Sequence, residues 1–267
     1  MLAKKKIVLS DGREVDEPRS MFLLWLILLL IATWASARMT GFSLSVLLTR
    51  GNEFFIYFAR MIPPNFAYLS YIWGPLFDTI KMSLFGSVLG ALLAIPIALC
   101  SANNIMKNKF VLNLCRLFLS IVRTLPTLVV ALIATYVLGL GTLAGTTAIT
   151  VFTFAYIGKL LYEQIETVDM GAFEAMEALG STKTQAFFSA IVPQVLPSYI
   201  ANCLFNFEGN VRYAAILGYV GAGGLGQIIN EKIGWKEYGN VGMILLVLFI
   251  TVAIIEFISH AIRKRIT

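Results

Sequence analysis

Long apolar stretches without charge alternate with short polar segments along the 267-residue chain. A helix that crosses a bilayer needs about 20 mostly apolar residues. Residues 21–37 meet that requirement, behind a polar tail of residues 1–20, and Met82 to Ser101 carries no charge at all. Between Arg123 and Lys159 run 35 uncharged residues, too many for one crossing. Gly139-Leu140-Gly141 divides them into Leu117–Leu138 and Thr142–Gly158 with a tight turn between. A fifth span runs from Pro193 to about Leu217 and holds Glu208 and Arg212, and a sixth covers Val241–Ser259 ahead of Arg263-Lys264-Arg265. The pattern predicts an all-α polytopic membrane protein with about six transmembrane helices.

Composition agrees: 58% of residues are hydrophobic and 13% charged, with a mean hydropathy of +0.80. Soluble domains run about 45–50% apolar and about 25% charged, so too few charges remain to cover a water-facing surface. Disorder, coiled coil and disulfide scaffold are excluded on the same figures. The +6 formal charge therefore reads as a topology signal, not as a nucleic-acid footprint. Six spans place both termini on one side, where thirteen Lys and Arg fall against six on the other. The positive-inside rule makes that side cytoplasmic. Ala35-Ser36-Ala37 resembles a signal-peptidase site, but the acid-rich leader and the length of the apolar core favour a retained anchor. Cys100, Cys115 and Cys203 have no metal-like spacing and read as buried thiols, and His260 as an interfacial residue.

Two connections are too long to be simple linkers. Residues 38–75, outside the membrane, carry Phe54-Phe55, Tyr57-Phe58 and Pro63-Pro64, material suited to the bilayer interface or to docking a partner. Residues 159–192, on the cytoplasmic side, contain the strong helix formers of Phe173-Glu174-Ala175-Met176-Glu177-Ala178-Leu179 followed by Gly180, a helix terminator. This predicts a two-turn helix with Phe173, Met176 and Leu179 along one side, fit for a groove on another protein. Glu174-Ala175, Gly180, Ile191 and Pro193 resemble the "EAA" loop of binding-protein-dependent ABC importer permeases. That resemblance implies a coupling helix, with Phe173, Glu174, Ala175, Met176, Leu179 and Gly180 docking on an ATP-binding subunit.

Two nucleotide-site lookalikes fail. Gly180-Ser181-Thr182-Lys183-Thr184 lacks the glycines of a Walker motif. Gly221-Ala222-Gly223-Gly224-Leu225-Gly226 fits GxGxxG but no strand–helix unit surrounds it. No cofactor is expected in this chain; ATP and magnesium are expected on a partner.

The fifth span is the polar one. Ionisable residues inside a membrane default to a functional hypothesis. Glu208 and Arg212 stand four apart in the favourable order for an intrahelical pair. Asn202, Asn206 and Asn210 form a second stripe nearly opposite, so the helix is expected to be central, with these five residues lining a path or gate, or with Glu208 and Arg212 as a self-neutralising clip inside the bundle. An arginine there suits an oxyanion, whose two oxygens one guanidinium can bind. Arg123, near the start of the third span, is expected to snorkel.

Phe207-Glu208-Gly209-Asn210-Val211-Arg212 and Gly218-Tyr219-Val220-Gly221-Ala222-Gly223-Gly224-Leu225-Gly226 narrow the resemblance to the phosphonate-type permeases, from about Leu76 to the C-terminus; Leu225 replaces their isoleucine. Methionine-type permeases share the glycine run. The resemblance implies a type I ABC importer permease fold over residues 76–267 and a homodimer in the inner membrane. It also implies two ATP-binding subunits, an extracytoplasmic solute-binding protein, and import of phosphonate, phosphite or a similar oxyanion. A secondary transporter would show inverted repeats, and an intramembrane enzyme would need convergent acids and histidines in several spans; neither pattern is present.

Overall fold

The computed structural model describes residues 21–266 throughout and, for the backbone alone, residues 6–8 and 14–16. These two pieces pair as antiparallel strands β1 (Lys6–Val8) and β2 (Glu14–Asp16), with Ile7 opposite Val15. The rest of the polar tail of residues 1–20 lies outside the described residues. The chain divides into two compact units, Met1–Tyr57 and Phe58–Thr267.

In the first unit, α1 (Phe22–Met39) is apolar on all sides and has no buried residue, the character of a helix solvated by lipid. The guanidinium of Arg38 lies 5.5 Å from the Trp34 ring centre near its end. A second helix, α2 (Leu44–Arg60), occupies much of the connection after it. Its spacing puts Leu44, Leu47, Phe54, Phe55 and Phe58 on one side and Arg50, Glu53 and Arg60 on the other, so the aromatic segment is an amphipathic helix.

In the second unit the hub is α3 (Leu69–Ser101), which begins well before Met82. Asn65 caps the 3₁₀ turn that leads into it by accepting from the Ala67 N–H at 3.1 Å. The most extensive packing is between α3 and α6 (Thr142–Glu166). Gly86 and Gly90 make it possible: a Cβ on Gly86 would stand 2.8 Å from Ile149 Cγ2, and one on Gly90 2.6 Å from Thr153 Cβ. Small residues let helices approach closely in lipid, where van der Waals packing drives association.

The third apolar run departs from expectation. It forms two helices, α4 (Lys109–Thr124) and α5 (Thr127–Leu138), meeting at 87°. Pro126 has no N–H and disfavours helical torsions at the residue before it; Leu125 and Pro126 are accordingly extended, with ψ 122° and 131°. Among the described residues, five helices are long and apolar enough to cross a membrane, or six if this bent pair is one span. Lys109, Arg116 and Arg123 recur every seventh residue along α4 while Leu112 and Leu119 are buried, which makes α4 amphipathic rather than the start of a uniform span. Gly139 and Gly141 make the tight turn before α6, and the Gly141 N–H donates to the Gly221 carbonyl at 2.9 Å.

Beyond α6 come α7 (Gly171–Ala178), the short α8 (Lys183–Ala186), one π-helical turn over Phe187–Ile191, and α9 (Val192–Leu217). Then α9 folds back through the glycine run into α10 (Gly224–Gly234) and α11 (Tyr238–Ile266). Glycine is required at this fold-back because Gly218 and Gly226 sit backbone against backbone; a Cβ on either would overlap the other segment. The Leu225 N–H at the start of α10 donates to Thr79 Oγ1 of α3 at 2.8 Å.

A buried polar brace holds α3, α6 and α9 together. Asn210 Nδ2 lies within 2.8–2.9 Å of Ser87 Oγ, Thr153 Oγ1 and Asn206 Oδ1, and Thr153 Oγ1 donates to Asn206 Oδ1 at 2.9 Å. Replacing Asn210 by leucine removes the shared donor and leaves buried acceptors without it, at a cost of about 1–2 kcal/mol. The expected result is a lower thermal midpoint in detergent with membrane insertion intact; an unchanged midpoint would show that Asn210 braces nothing.

Candidate functional site

Two groups of residues carry the candidate chemistry, one in the loop between α6 and α9 and one on α9 itself. The loop helix α7 is short because Gly180 ends it: φ at Gly180 is +89°, the Gly180 N–H donates to the Glu177 carbonyl at 3.0 Å and the Ser181 N–H to the Met176 carbonyl at 3.1 Å. This pair of bonds is the Schellman arrangement, which favours glycine at the left-handed position. Thr182 and Gln185 then form a capping box that starts α8.

The six loop residues do not all share a face. Phe173 turns inward onto a core with Ile165, Val168, Met170, Phe187 and Ile191, and Met176 is half-buried. Glu174, Ala175, Leu179 and Gly180 point out, Leu179 with 86% of its surface exposed. Successive steps of three residues rotate around an α-helix by about 60° each, so a run of three such positions spreads from core to surface. Phe173 is thus the anchor of the helix and Leu179 its outward apolar tip.

Just ahead of α7 a clamp ties three helices. Arg116 of α4 donates from Nε to the Ser101 carbonyl at the end of α3, at 2.9 Å, and from Nη2 to Glu166 Oε1 at the end of α6. Its guanidinium lies 5.0 Å from the Tyr162 ring centre. Glu166 also accepts from the Asn103 N–H at 2.7 Å, and Asn104 Nδ2 donates to the Ile165 carbonyl at 2.7 Å. The Asp169 side chain takes the Gly171 N–H at 2.9 Å. The spacing of the sequence does not announce this clamp, whose bonds to the end of α6 join residues 50 to 63 apart.

On α9 the two polar stripes separate as the periodicity predicts, with different surroundings. Asn206 and Asn210 are spent in the buried brace, and Asn202 is half-buried. Glu208 keeps 5% of its side chain exposed and Arg212 53%, with Arg212 Nη2 3.0 Å from Glu208 Oε1. A third member, Arg263 of α11, places Nη2 3.8 Å from Glu208 Oε2 and its guanidinium 5.8 Å from the Phe205 ring centre. In the sequence Arg263 belongs to a terminal basic cluster, and no local spacing links it to Glu208.

At the opposite end, Lys232 Nζ of α10 lies 3.1 Å from Glu237 Oε2, 3.9 Å from Glu231 Oε1 and 4.4 Å from the Trp235 ring centre. The Glu237 hydrogen bond raises the Lys232 pKa, and Lys232, with Asn240, lowers that of Glu237. The raised lysine keeps the pair charged as pH climbs and the depressed carboxylate as pH falls, so the clip spans neutral pH. Among the described residues no group of three or more His, Cys, Asp or Glu is placed to hold a metal ion, and Cys100, Cys115 and Cys203 are free and half-buried.

A bundle of membrane-length helices, an exposed helix-bearing loop at one end and a charged pair on a central helix define a polytopic membrane protein. Residues 86–267 match the family of binding-protein-dependent transport system inner membrane components, and the chain belongs to that family, the permease subunits of ABC importers. Its members work with ATP-binding and substrate-binding partners. The chain is 33% identical over 210 residues to the phosphate-import permease protein PhnE of Mycolicibacterium smegmatis, a match covering 78% of this chain and 40% of that protein. It is 33% identical over 204 residues to the putative phosphite transport system permease protein HtxC of Stutzerimonas stutzeri, covering 76% and 72%. The chain thus spans less than half the length of the first of these relatives. A chain of the MetNI methionine ABC transporter, solved in an inward-facing conformation, has the same fold, with a TM-score of 0.67 at 21% identity over 76% of this chain and 99% of that one.

Proposed function

We propose that this permease carries a phosphorus oxyanion (phosphonate, phosphite or phosphate) inward across the inner membrane. The observation that carries this reading is the pair of relatives at 33% identity, one named for phosphate import and one for phosphite transport. A half-exposed arginine on a central helix supports it, since a planar guanidinium suits two oxygens of such an anion. In this reading α7 is the coupling helix, seated in an ATP-binding subunit through Glu174, Ala175, Leu179 and Gly180 and held to its own bundle by Phe173 and Met176. ATP and magnesium belong to that subunit. Both termini are cytoplasmic, by the excess of Lys and Arg on their side. The working assembly is two copies of this chain, two ATP-binding subunits and an extracytoplasmic binding protein. Asn202, Glu208 and Arg212 belong to the translocation path or its gate, and Asn206 and Asn210 brace the helix that carries them.

The test is to purify the permease from its native membrane in mild detergent, identify its companions, and reconstitute them in vesicles. Purification is expected to bring an ATP-binding protein along, and ATP-dependent uptake is expected for at least one of labelled phosphate, phosphite and methylphosphonate. Uptake of methionine with none of the three oxyanions would replace the substrate assigned here.

A further inference from the structure

Glu208 is a buried carboxylate that serves two guanidinium groups through different oxygens, Oε1 toward Arg212 at 3.0 Å and Oε2 toward Arg263 at 3.8 Å. The two arginines are not equivalent. Arg212 is more than half exposed, while Arg263 keeps a quarter of its side chain exposed and lies beside the Phe205 ring. Phe205, Arg212 and Ile216 form one exposed stripe of α9, and a Cβ at Gly209 on the same side would meet nothing within 4 Å. A guanidinium held against lipid is costly, so this stripe faces water or another permease chain rather than acyl tails.

We propose that Arg212 is the group that takes the oxyanion in the permease, and that Arg263 is a positioning residue that holds Glu208 when Arg212 leaves it. This rests on the oxyanion-import reading above. A buried carboxylate deprived of its only cation is strongly unfavourable, and with Arg212 as its only partner Glu208 would compete with every substrate for that arginine. Arg263 removes the conflict. Arg212 exchanges a carboxylate oxygen for a substrate oxygen, Glu208 keeps its second cation, and the exchange is close to balanced. Balanced binding is what a conducting site needs, favourable enough to admit the anion and weak enough to release it.

The test uses the complete transporter in vesicles, with ATP inside, saturating binding protein outside, and labelled phosphate, phosphite and methylphosphonate as probes. Arg263→Gln leaves Glu208 to Arg212 alone, and the uptake rate is expected to fall about tenfold, the size of one charged hydrogen bond. Arg263→Lys is expected to fall between that variant and the wild type. In Glu208→Gln/Arg263→Gln no carboxylate competes for Arg212, and the rate is expected to rise at least about threefold above that of Arg263→Gln. A scaffold role for Arg263 predicts no such recovery. Wild-type uptake in Arg263→Gln overturns the proposal, and so does a double variant as slow or as poorly assembled as the single one. In either case oxyanion transport by the wild type leaves the import reading standing. A wild-type transporter that moves none of the three probes removes both.

Discussion

Gly180→Val is expected to abolish uptake while the protein still inserts and purifies. At φ +89° a β-branched residue meets the left-handed penalty of about 1–2 kcal/mol. Losing the two bonds that close α7 adds about 0.5–1.5 kcal/mol each. Together these shift the cap by about 3 kcal/mol, a factor of roughly a hundred in its population. Nothing lies within 4 Å of where a Cβ would stand, so the substitution has no core to disrupt and its effect stays in the loop. Asparagine tolerates the left-handed region, and Gly180→Asn is expected to retain most uptake. Glu174→Lys tests the outward face separately, because Glu174 is exposed in the first turn of α7, where an acid complements the helix dipole. It is expected to lose uptake through lost docking, read as a permease that no longer retains its ATP-binding subunit on a column. Full uptake in both Gly180→Val and Glu174→Lys would remove the coupling role from α7.

Much of this architecture is legible from periodicity and punctuation. The charge-free runs mark the long helices, Gly139 and Gly141 mark the turn into α6, and Gly180 ends the loop helix where its position predicts. These signals are local, resting on one residue's torsions or one helix's own stripe. The 87° break at Pro126 is equally available in the sequence, since proline and the residue before it resist helical torsions, but hydropathy alone runs straight through it. Other features belong to tertiary packing. Asn206 and Asn210 look like a polar stripe on an isolated helix; whether such a stripe faces water or a neighbour depends on Ser87 and Thr153, which lie 123 and 57 residues from Asn210. Arg263 reads as one of three terminal basic residues, because charge counting has no means to single out the one that reaches Glu208.

Arg116→Ala is expected to uncouple the transporter, so that ATP hydrolysis stimulated by the binding protein continues while uptake per ATP falls about tenfold, within the range of a charged hydrogen bond. The reason lies in the geometry. Arg116 joins the end of α3 to the end of α6. The chain then enters α7 through a short turn, held by Asp169 through its bond to the Gly171 N–H. A displacement of α7 would reach α3 and α4 through this clamp and through the core around Phe173. Lysine is not expected to substitute. An ammonium is a point charge on a flexible stem, whereas the guanidinium donates in two fixed directions and lies near the Tyr162 ring. Arg116→Lys should therefore resemble Arg116→Ala in the ratio of uptake to hydrolysis, although lysine keeps the charge that alanine loses. Glu166→Gln keeps an acceptor for the Asn103 N–H and is expected to fall between wild type and Glu166→Ala. A ratio unchanged in Arg116→Ala, or fully restored by lysine, would mean that the clamp only stabilises the loop and carries no motion from α7 into the bundle.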